Sequence, residues 1–328
     1  MKDKVVIAFA TDHNFRYYTG VALFSLMEHA SSDTQYEILI LSESLSAADR
    51  ALFFRLIEGK ENFSLHFVDL KEKVKEIDIT KLHLGGYGIA VLYRLFMHEL
   101  LPEYDRILYL DSDIIVQADV KELFEADLKG APIGVVKDFL TSFGTLRAWL
   151  FLDYCSKTLK LKNPKNYFNS GVLLLDTAQL RKSDFSQNLY SEFNCRIQFK
   201  FPDQDILNRI FEDKVCYLDQ TWNYIIDKGH TAEGSKIVHY ANLHPWFSNL
   251  LPKADLWWGT AEKTFFSEKM KKELINHPSR IKYLEYIEKA YYETRQSTCW
   301  RITAFMRFTA DTIRVITYLL KNTLTKEK

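Results

Sequence analysis

Short apolar runs alternate with helical patterns along the first part of the chain. Apolar runs of four to eight residues predict buried strands, and apolar positions repeating every three to four residues predict helices. Ser46 and Asp49 open one of these helices, and their side chains can accept hydrogen bonds from free backbone N–H groups in a capping box. The predicted order is strand 5–10 (VVIAFA), helix 19–30, strand 36–41 (YEILIL), helix 46–58 and strand 63–70 (FSLHFVDL).

The alternation continues to about residue 212, without an internal repeat or a low-complexity stretch. It therefore predicts one α/β domain over residues 1–250, with helices flanking a mostly parallel mixed sheet, and a small helical appendage over 251–328. Gly85, Gly86 and Gly88 have the wrong spacing for a dinucleotide-binding loop. The further elements are helix 89–101 (IAVLYRLFMHELL), strand 106–110 (RILYL), strand 133–138 (IGVVKD), helix 144–160, strand 167–176 (YFNSGVLLLD) and helix 203–212.

Composition narrows the class of protein. The 328 residues carry 43 basic and 43 acidic side chains, so no overall positive field attracts nucleic acid, and we expect no nucleic-acid partner. The N-terminus has six uninterrupted apolar residues and no stretch approaches membrane-spanning length, which predicts a cytoplasmic protein. The cysteines show no metal or redox spacing, which suits reduced thiols: Cys155, Cys195, Cys216 and Cys299.

Asp111 and Asp113 follow the apolar run RILYL directly. Ligands of open α/β sheets bind beyond the carboxyl ends of the strands, so this pair lies where a ligand is expected. Residues two apart on an extended segment project to the same face, and both carboxylates can therefore reach one hard cation that carries phosphate oxygens. The pattern indicates a nucleotide-sugar site. The alternative is a solvated acidic turn after a strand, because Asp-x-Asp also arises by chance.

Five ordered blocks give this chain a resemblance to glycosyltransferase family 8. The resemblance spans residues 5–258 and implies a GT-A fold with metal-dependent, retaining transfer of glucose or galactose from a UDP-sugar. Among family members, the chain resembles bacterial lipopolysaccharide and lipooligosaccharide α-galactosyl- and α-glucosyltransferases. The blocks are FATDHNF (9–15), YRL (93–95), LYLDSDIIV (108–116), FNSGVLLLD (168–176) and PDQDILN (202–208).

The resemblance implies a metal site formed by Asp111, Asp113 and His239. Carboxylate and diphosphate oxygens with one imidazole favour Mn²⁺, with Mg²⁺ as the second choice. The late segment HYANLHPW departs from the family, because Asn242 stands where relatives commonly have glycine and His244 where they have lysine. A neutral imidazole supplies less positive charge than an ammonium group, so we expect a weaker clamp on the diphosphate.

By resemblance, the loop after the first strand binds the nucleotide. Its polar groups can hydrogen-bond uracil and ribose, and Phe15 offers a face on which uracil can stack. The alternative is a polar loop in which an aspartate caps the next helix. The donor-binding set in this part of the chain is Ala10, Thr11, Asp12, Asn14 and Phe15, with Ser112 between the two metal-binding aspartates.

The resemblance also implies a sugar pocket. Gly171 would let the backbone approach the sugar closely. The amide oxygen of Gln204 could lie on the β-face of the anomeric carbon, but an amide is a poor nucleophile, which favours front-face substitution over a covalent intermediate. We expect catalytic roles for Arg94, Asp203 and Gln204. The remaining donor-binding residues are Asp138, Asn169, Ser170 and Gly171, with Asn242 and His244 near the diphosphate.

The segment 300–321 has a helical pattern with two faces. Arg307, Arg314 and Lys321 share one face, opposite a stripe of Ile, Phe, Met and Leu. This helix either packs on its own domain or lies on an anionic membrane surface, the inner face of the cell membrane. Two other functions remain open from the sequence: a catalytically silent nucleotide-sugar or glycan-binding protein, and a self-glucosylating, glycogenin-like initiator.

Overall fold

The structure of the protein is a computed structural model. It describes residues 4–70, 72, 88–141, 146–195, 197–226, 233–241, 244–246 and 253–275.

A seven-stranded sheet forms the centre of the fold, in the order β3-β2-β1-β4-β7-β6-β8. β7 is antiparallel to its two neighbours, and the other pairs are parallel. The predicted mostly parallel sheet is therefore confirmed. Its strands are β1 Lys4–Ala10, β2 Gln35–Ser42, β3 Phe63–Asp69, β4 Arg106–Leu110, β6 Ile133–Lys137, β7 Phe168–Asp176 and β8 Cys216–Tyr217.

A second sheet of three short strands lies beside the end of β4, in the order β5-β10-β9. Its strands are β5 Ile114–Val116, β9 Tyr224–Ile225 and β10 Ile237–His239. β10 runs antiparallel to β5 and pairs His239 with Ile114, one residue after Asp113. The apolar pattern predicted neither β5 nor β9, because strands of two or three residues carry almost no periodic signal.

Helices cover both faces of the large sheet, so the central strands are buried on both sides, as their continuous apolar runs require. The capping box at α2 is confirmed, since the hydroxyl of Ser46 accepts from the N–H of Asp49 and the Asp49 carboxylate accepts from the N–H of Ser46. The helices are α1 Arg16–His29, α2 Ala47–Leu56, α3 Met97–Leu100, α4 Lys121–Phe124, α5 Leu146–Lys157, α6 Thr177–Lys182, α7 Phe185–Phe193, α8 Pro202–Ile210, α9 Ala254–Ala261 and α10 Ser267–Ile275.

The segment predicted as a helix over 89–101 begins as a 3₁₀ helix. Residues Ile89–Phe96 have this tighter winding, and α3 follows. With three residues per turn, Val91 and Arg94 lie one above the other, and Nε of Arg94 donates to the carbonyl of Val91 at 3.1 Å. The winding therefore sets the direction of the Arg94 guanidinium. Other short 3₁₀ helices are Phe139–Thr141, Pro164–Asn166 and Gln220–Asn223.

Helices α9 and α10 pack against α1 rather than standing apart from the sheet domain. Phe266 lies so close to Gly20 of α1 that a Cβ added to this glycine would be 2.3 Å from the ring. We name Tyr18, Trp246, Trp257 and Phe266 the aromatic cluster, and all four are buried. The predicted domain boundary near residue 250 and the segment 300–321 lie outside the described residues. Across the part of the chain that the structure describes, no helix is long and apolar enough to span a membrane.

Candidate active site

Most of the predicted site residues meet at one edge of the large sheet. β1, β4 and β6 run parallel and end there, which brings Thr11, Asp111 and Asp138 to the same side. β7 runs the other way and begins at this edge, so it presents Asn169 and Gly171 beside Asp111. The backbone N–H of Asp111 donates to the carbonyl of Gly171 at 2.8 Å. The topology thus assembles residues that are up to about 160 positions apart in sequence.

Asp111, Asp113 and His239 form a cluster that could hold a metal ion. Their potential ligand atoms all lie within 4.8 Å of one another. Nε2 of His239 is 3.2 Å from Oδ1 of Asp113 and 3.8 Å from Oδ2 of Asp111. The β5–β10 pairing explains this approach, because it fastens the backbone of His239 beside the residue that follows Asp113. Two carboxylates and one imidazole match the ligand types of Mn²⁺ and also suit Mg²⁺ through their oxygens.

The charges at this edge also favour a cation. The carboxylates of Asp111, Asp113, Asp138 and Asp203 lie here with Arg94 as the buried cation among them. Burial raises the pKa of Asp138 and, despite the attraction of Arg94, that of Asp111. Taking a carboxylate out of water disfavours its charged form unless positive charge is supplied. The residues present therefore fit a divalent cation.

His239 and Asp113 compensate each other's charge. Burial alone would lower the pKa of His239. The attraction of the adjacent Asp113 carboxylate, together with that of Asp111, is larger than this effect, so the pKa of His239 is raised. Burial would raise the pKa of Asp113, and the attraction of His239 reverses that effect, so its pKa is lowered. A proton on Nε2 of His239 would lie where a metal ion would bind, so protonation of His239 and metal binding compete.

Arg94 joins the metal-site carboxylates to the sugar-pocket residues. Its guanidinium is 2.8 Å from Asp111 and 3.2 Å from Asp203, and it donates to the carbonyl of Ser170 at 2.7 Å. It also stacks over the ring of Tyr109, 4.4 Å from the centroid. Burial opposes its charge, but the two carboxylates raise the pKa of Arg94 above its usual value. Arg94 is therefore a fixed positive charge held inside the site.

A chain of buried side-chain hydrogen bonds crosses the site from Asp138 to His239. Nε2 of Gln204 donates to Asp138 at 3.2 Å, and Nδ2 of Asn169 donates to Oε1 of Gln204 at 2.8 Å. Nδ2 of Asn223 donates to Oδ1 of Asn169 at 2.8 Å, and Oδ1 of Asn223 is 2.8 Å from Nδ1 of His239. We call these five residues the amide chain. It connects the predicted sugar pocket to the predicted metal ligand.

The amide oxygen of Gln204 is hydrogen-bonded to β7. Its amide oxygen accepts from the backbone N–H of Ser170 at 3.0 Å as well as from Asn169. Both lone pairs are therefore directed to β7 and not to open space above the site. Asp203 is also engaged, because its Oδ2 accepts from the hydroxyl of Ser170 at 2.7 Å and pairs with Arg94.

Glycine at position 171 also leaves room for two of the potential metal ligands. A Cβ at this position would lie 2.2 Å from Cε1 of His239 and 2.7 Å from Oδ2 of Asp111. Any larger residue would push apart two of the three potential metal ligands. The glycine thus lets β7 pass directly beneath the metal cluster.

The loop after β1 is anchored by hydroxyl groups. Thr19 of α1 places its hydroxyl 2.7 Å from that of Thr11 and 2.8 Å from that of Ser112, and Ser112 donates to the carbonyl of Ala10 at 3.0 Å. Asp12 accepts from the N–H of Phe15 at 2.8 Å within the turn that precedes α1, whereas the N-cap of α1 is Phe15, without a side-chain cap hydrogen bond. Asn14 is exposed at the tip of the loop.

Phe15 is one of the few large apolar side chains left exposed, at 40%. Its ring meets Tyr18 and Trp246 edge to face, with centroids 5.4 and 6.5 Å away. Edge contacts leave a ring face available for a stacked base. His244 stacks on Trp246 at 5.0 Å, and burial lowers its pKa, so it is neutral at pH 7. Asn242 lies outside the described residues.

Two residues of this site were not predicted from the sequence. Asn223 follows Trp222 in an ordinary polar stretch, QTWN, and no motif distinguishes it. Thr19 lies within the pattern of α1 and appears in the sequence as a helix residue. Only the tertiary structure shows that Thr19 and Asn223 contact residues of the site.

Comparison with known proteins identifies the family. The family model described as glycosyl transferase family 8 matches residues 6–249, and the chain belongs to this family. It is 29% identical to the glycosyltransferase GlyF of Streptococcus pneumoniae over 86% of this chain and 71% of GlyF. It is 28% identical to the lipopolysaccharide 1,2-glucosyltransferase of Escherichia coli over 73% of this chain and 72% of that protein. The resemblance inferred from the five sequence blocks is confirmed.

Solved structures confirm the fold. The galactosyltransferase LgtC, solved with donor and acceptor sugar analogues, matches with a TM-score of 0.65 and 24% identity, over 80% of this chain and 96% of LgtC. The protein therefore has the GT-A fold of this glycosyltransferase. The chain spans about half the length, 52%, of a longer bifunctional glycosyltransferase that it also matches in fold.

Proposed function

We propose that this protein is a metal-dependent, retaining hexosyltransferase that moves glucose or galactose from a UDP-sugar to a hydroxyl group of a bacterial surface glycan or glycolipid. The observation that carries the proposal is the convergence of Asp111, Asp113 and His239 beside the carboxyl end of β4. Membership of glycosyl transferase family 8 supports transfer of a sugar as the reaction.

In this proposal Asp111, Asp113 and His239 hold Mn²⁺, with Mg²⁺ as the second choice, because the set includes one imidazole. The bound ion supplies positive charge for the leaving diphosphate. Arg94 contributes by holding Asp111 in place at 2.8 Å and by balancing the charge of Asp203. These fixed charges need no rearrangement when the sugar–phosphate bond breaks, which is how preorganised groups lower a barrier.

The donor would lie across the sheet edge. Thr11, Asp12 and Asn14 bind uracil and ribose through hydrogen bonds, and uracil stacks on Phe15. The carbonyl of Ala10 accepts from Ser112, which fixes the loop that these residues occupy. His244 would contact the diphosphate, and the same role for Asn242 stays a prediction from the sequence. A neutral His244 donates a hydrogen bond but adds no charge, so the cation and Arg94 supply the positive charge on that side.

The sugar would occupy the pocket formed by Asp138, Asn169, Ser170 and Asp203. The acceptor hydroxyl attacks from the face that the diphosphate leaves, and a phosphate oxygen takes its proton. The engagement of Gln204 supports this front-face route, because an amide oxygen that already accepts two hydrogen bonds is a poor nucleophile. Asp205 is also unavailable, since two tyrosine hydroxyls donate to its buried carboxylate, from Tyr154 at 2.6 Å and Tyr167 at 2.5 Å.

The names of the relatives suggest both candidate sugars and one class of acceptor. The Escherichia coli relative is a lipopolysaccharide 1,2-glucosyltransferase, and the structural neighbour LgtC is a galactosyltransferase. We infer a lipid-linked or surface glycan acceptor and a cytoplasmic location next to the inner face of the cell membrane. Attachment to that surface through residues 300–321 stays a prediction from the sequence.

UDP-sugar hydrolysis tests the proposal, since transferases of this type release sugar to water slowly without an acceptor. Purified protein is incubated with UDP-glucose or UDP-galactose and Mn²⁺, Mg²⁺ or excess chelator. We expect metal-dependent release of UDP and loss of release in Asp113→Asn. Binding of UDP-sugar without turnover would favour the silent binding protein, and mass increments of one hexose on the intact chain would favour the self-glucosylating initiator. Full activity in chelator would overturn the metal assignment.

The stereochemistry is tested on the transferred product. With a simple alcohol or sugar as the acceptor, proton NMR of the new linkage should show the α-configuration of the donor. Gln204→Ala should slow turnover and leave the product α-linked. A β-linked product would contradict the retaining mechanism, and a hexose bound covalently to Asp203 would replace the front-face route with double displacement.

A further inference from the structure

Asn223 is fully buried and lies directly behind His239. It ends the 3₁₀ helix Gln220–Asn223 and precedes β9, which pairs Ile225 with His239. Its Oδ1 is 2.8 Å from Nδ1 of His239, on the side of the imidazole away from Asp113. Its Nδ2 donates to Oδ1 of Asn169 at 2.8 Å. No part of its side chain reaches the carboxylates of the metal cluster within hydrogen-bonding distance.

Backbone N–H groups fix the orientation of every amide in the chain of contacts that leads to His239. The N–H of Gly171 donates to Asn169 at 2.9 Å, and a backbone N–H can only donate, so Oδ1 of Asn169 is the acceptor there. This oxygen also faces Asn223, which must therefore present its NH₂ group to Asn169 and its oxygen to His239. The N–H of Ser170 fixes Gln204 in the same way. An oxygen acceptor at Nδ1 requires the proton on that nitrogen.

We propose that Asn223 is a positioning residue that accepts from Nδ1–H of His239 and so leaves the lone pair of Nε2 available to the metal ion that Asp111 and Asp113 would share. The inference rests on the proposed metal site. A metal-binding histidine needs one bare nitrogen, and the group that accepts from the other nitrogen selects the tautomer and fixes the ring. Asn223 is the residue whose side-chain oxygen lies at Nδ1 of His239.

The chemical type of Asn223 suits a crowded anionic site. A carboxylate in its position would also accept from Nδ1–H, but it would add a further negative charge close to Asp111, Asp113 and Asp203. A neutral amide fixes the ring without that charge. It also donates to Asn169, which a carboxylate cannot do, and Asn169 carries the connection onward to Gln204. Metal ligand and sugar pocket thus share one continuous set of hydrogen bonds.

Substitution of Asn223 can be separated from displacement of His239. The backbone of His239 is held by its pairing with Ile114 in β5, and its carbonyl accepts from the N–H of Ile226 at 3.0 Å. Asn223→Leu keeps the number and branching of the side-chain heavy atoms and removes the polar contacts. Asn208→Leu is the matched control, because Asn208 is a buried asparagine that bonds only the backbone of Phe168 and Gln204 and does not contact His239.

Direct binding of Mn²⁺ to the full chain, followed by the EPR signal of the free ion, measures the effect without turnover. We expect Asn223→Leu to raise the dissociation constant for Mn²⁺ by ~10- to 100-fold, the range for loss of a group that orients a metal ligand. Asn208→Leu should leave it within about twofold. Asn223→Asp, which keeps an acceptor for Nδ1–H, should bind Mn²⁺ within about tenfold of the unsubstituted protein. Asn223→Ala, which keeps no acceptor, should show the loss expected for Asn223→Leu and carries the test if the leucine variant does not fold.

The tautomer itself is measured by ¹⁵N NMR of the histidine side chains in the presence of Mg²⁺, a diamagnetic ion. We expect the proton of His239 on Nδ1 and none on Nε2 in the unsubstituted protein, and a larger Nε2–H signal in Asn223→Leu at the same Mg²⁺ concentration. Unchanged Mn²⁺ binding in the leucine variant, or an equal loss in Asn208→Leu, would overturn the role of Asn223 while the proposed function stands. Failure of the unsubstituted protein to bind Mn²⁺ or Mg²⁺ would instead contradict the metal site of the proposed function.

Discussion

The amide chain and the aromatic cluster are two buried regions of the molecule, and different forces hold them. The amide chain is a series of directional hydrogen bonds in which each partner is fixed by the next. The aromatic cluster is held by burial and ring packing, with Trp246 stacked on Tyr18 at 4.1 Å and Trp257 fully buried behind them. The amide chain sets the direction of functional atoms. The aromatic cluster supplies packing free energy that holds α9 and α10 against α1.

The difference matters because the two kinds of interaction respond differently to substitution. A buried hydrogen bond contributes ~1 kcal/mol net, but its loss redirects the group that it oriented. A buried tryptophan contributes several times more to stability and directs no reactive atom. We therefore expect substitutions in the aromatic cluster to lower the melting temperature first, and substitutions around the amide chain to lower metal affinity and turnover first.

Trp257→Ala should have the largest effect of the substitutions considered. Removal of a fully buried tryptophan side chain should cost ~3–5 kcal/mol of unfolding free energy, because both its apolar surface and its ring contacts are lost. Chemical denaturation of the full chain measures this change.

Trp149→Ala is the matched control, because Trp149 is 61% exposed on α5 and its loss should change the unfolding free energy by less than ~0.5 kcal/mol. Equal destabilisation by the two alanine variants would contradict the structural role given to the aromatic cluster.

Asp113→Asn, in contrast to Trp257→Ala, should lower turnover and leave the stability of the fold unchanged. We expect turnover of the UDP-sugar to fall by at least ~100-fold, the usual result of removing one group that stabilises developing charge. The melting temperature should hold, since one of several crowded carboxylates is neutralised. Steady-state kinetics and thermal unfolding of the same sample separate the two effects.

Asp105→Asn serves as its control, because the Asp105 side chain is 82% exposed at the far end of β4. Near-normal turnover in Asp113→Asn would contradict the proposal that substitutions at the metal site lower turnover before they lower stability.

Gly171→Ala tests the contact between β7 and the metal ligands. The added methyl group has no room beside His239 and Asp111, so one of them must move, and we expect the dissociation constant for Mn²⁺ to rise by ~10-fold or more. Gly259→Ala on α9 is the control, since a Cβ added there would meet no neighbouring atom of the described residues within 4 Å. If Gly171→Ala kept full metal affinity and lost activity only with the sugar bound, close approach of the backbone to the sugar would be the better reason for this glycine.

The large sheet could be predicted from the sequence because its buried strands are continuous apolar runs, and the helices between them repeat at a helical period. The segment around His239 has a strand-like pattern, and β10 confirms it. The rest of the small sheet could not be predicted, since β5 and β9 consist of three and two residues, and β10 pairs with β5 from more than 100 positions away. Asp111 and Asp113 could be placed by their position after β4. His239 was inferred only by resemblance to the family.

Several features of the site depend on contacts that no local pattern contains. Asn223 acquires its place from the docking of a four-residue 3₁₀ helix onto β10. The orientation of Gln204 depends on a backbone N–H in β7, and the need for glycine at 171 depends on two side chains from other parts of the chain. Sequence motifs thus identified most residues of the site, whereas the directions of their atoms follow from the tertiary structure.

Phe15 lies at the exposed edge of the aromatic cluster, and its substitution should have the smallest effect. The Phe15 ring meets the rings of Tyr18 and Trp246 in T-shaped contacts and is partly exposed, so Phe15→Ala should cost little stability. Loss of the stacking face should weaken UDP binding by ~1 kcal/mol, about fivefold, the lower end for base–aromatic stacking because the ring is partly exposed. Calorimetric titration with UDP and Mn²⁺ measures this change. Phe54→Ala, an exposed phenylalanine on α2, should leave UDP affinity unchanged, and Phe15→Tyr should keep it within about twofold because the ring face is retained. Undiminished UDP binding in Phe15→Ala would remove uracil stacking from the proposed site and would leave Phe15 as an edge residue of the aromatic cluster.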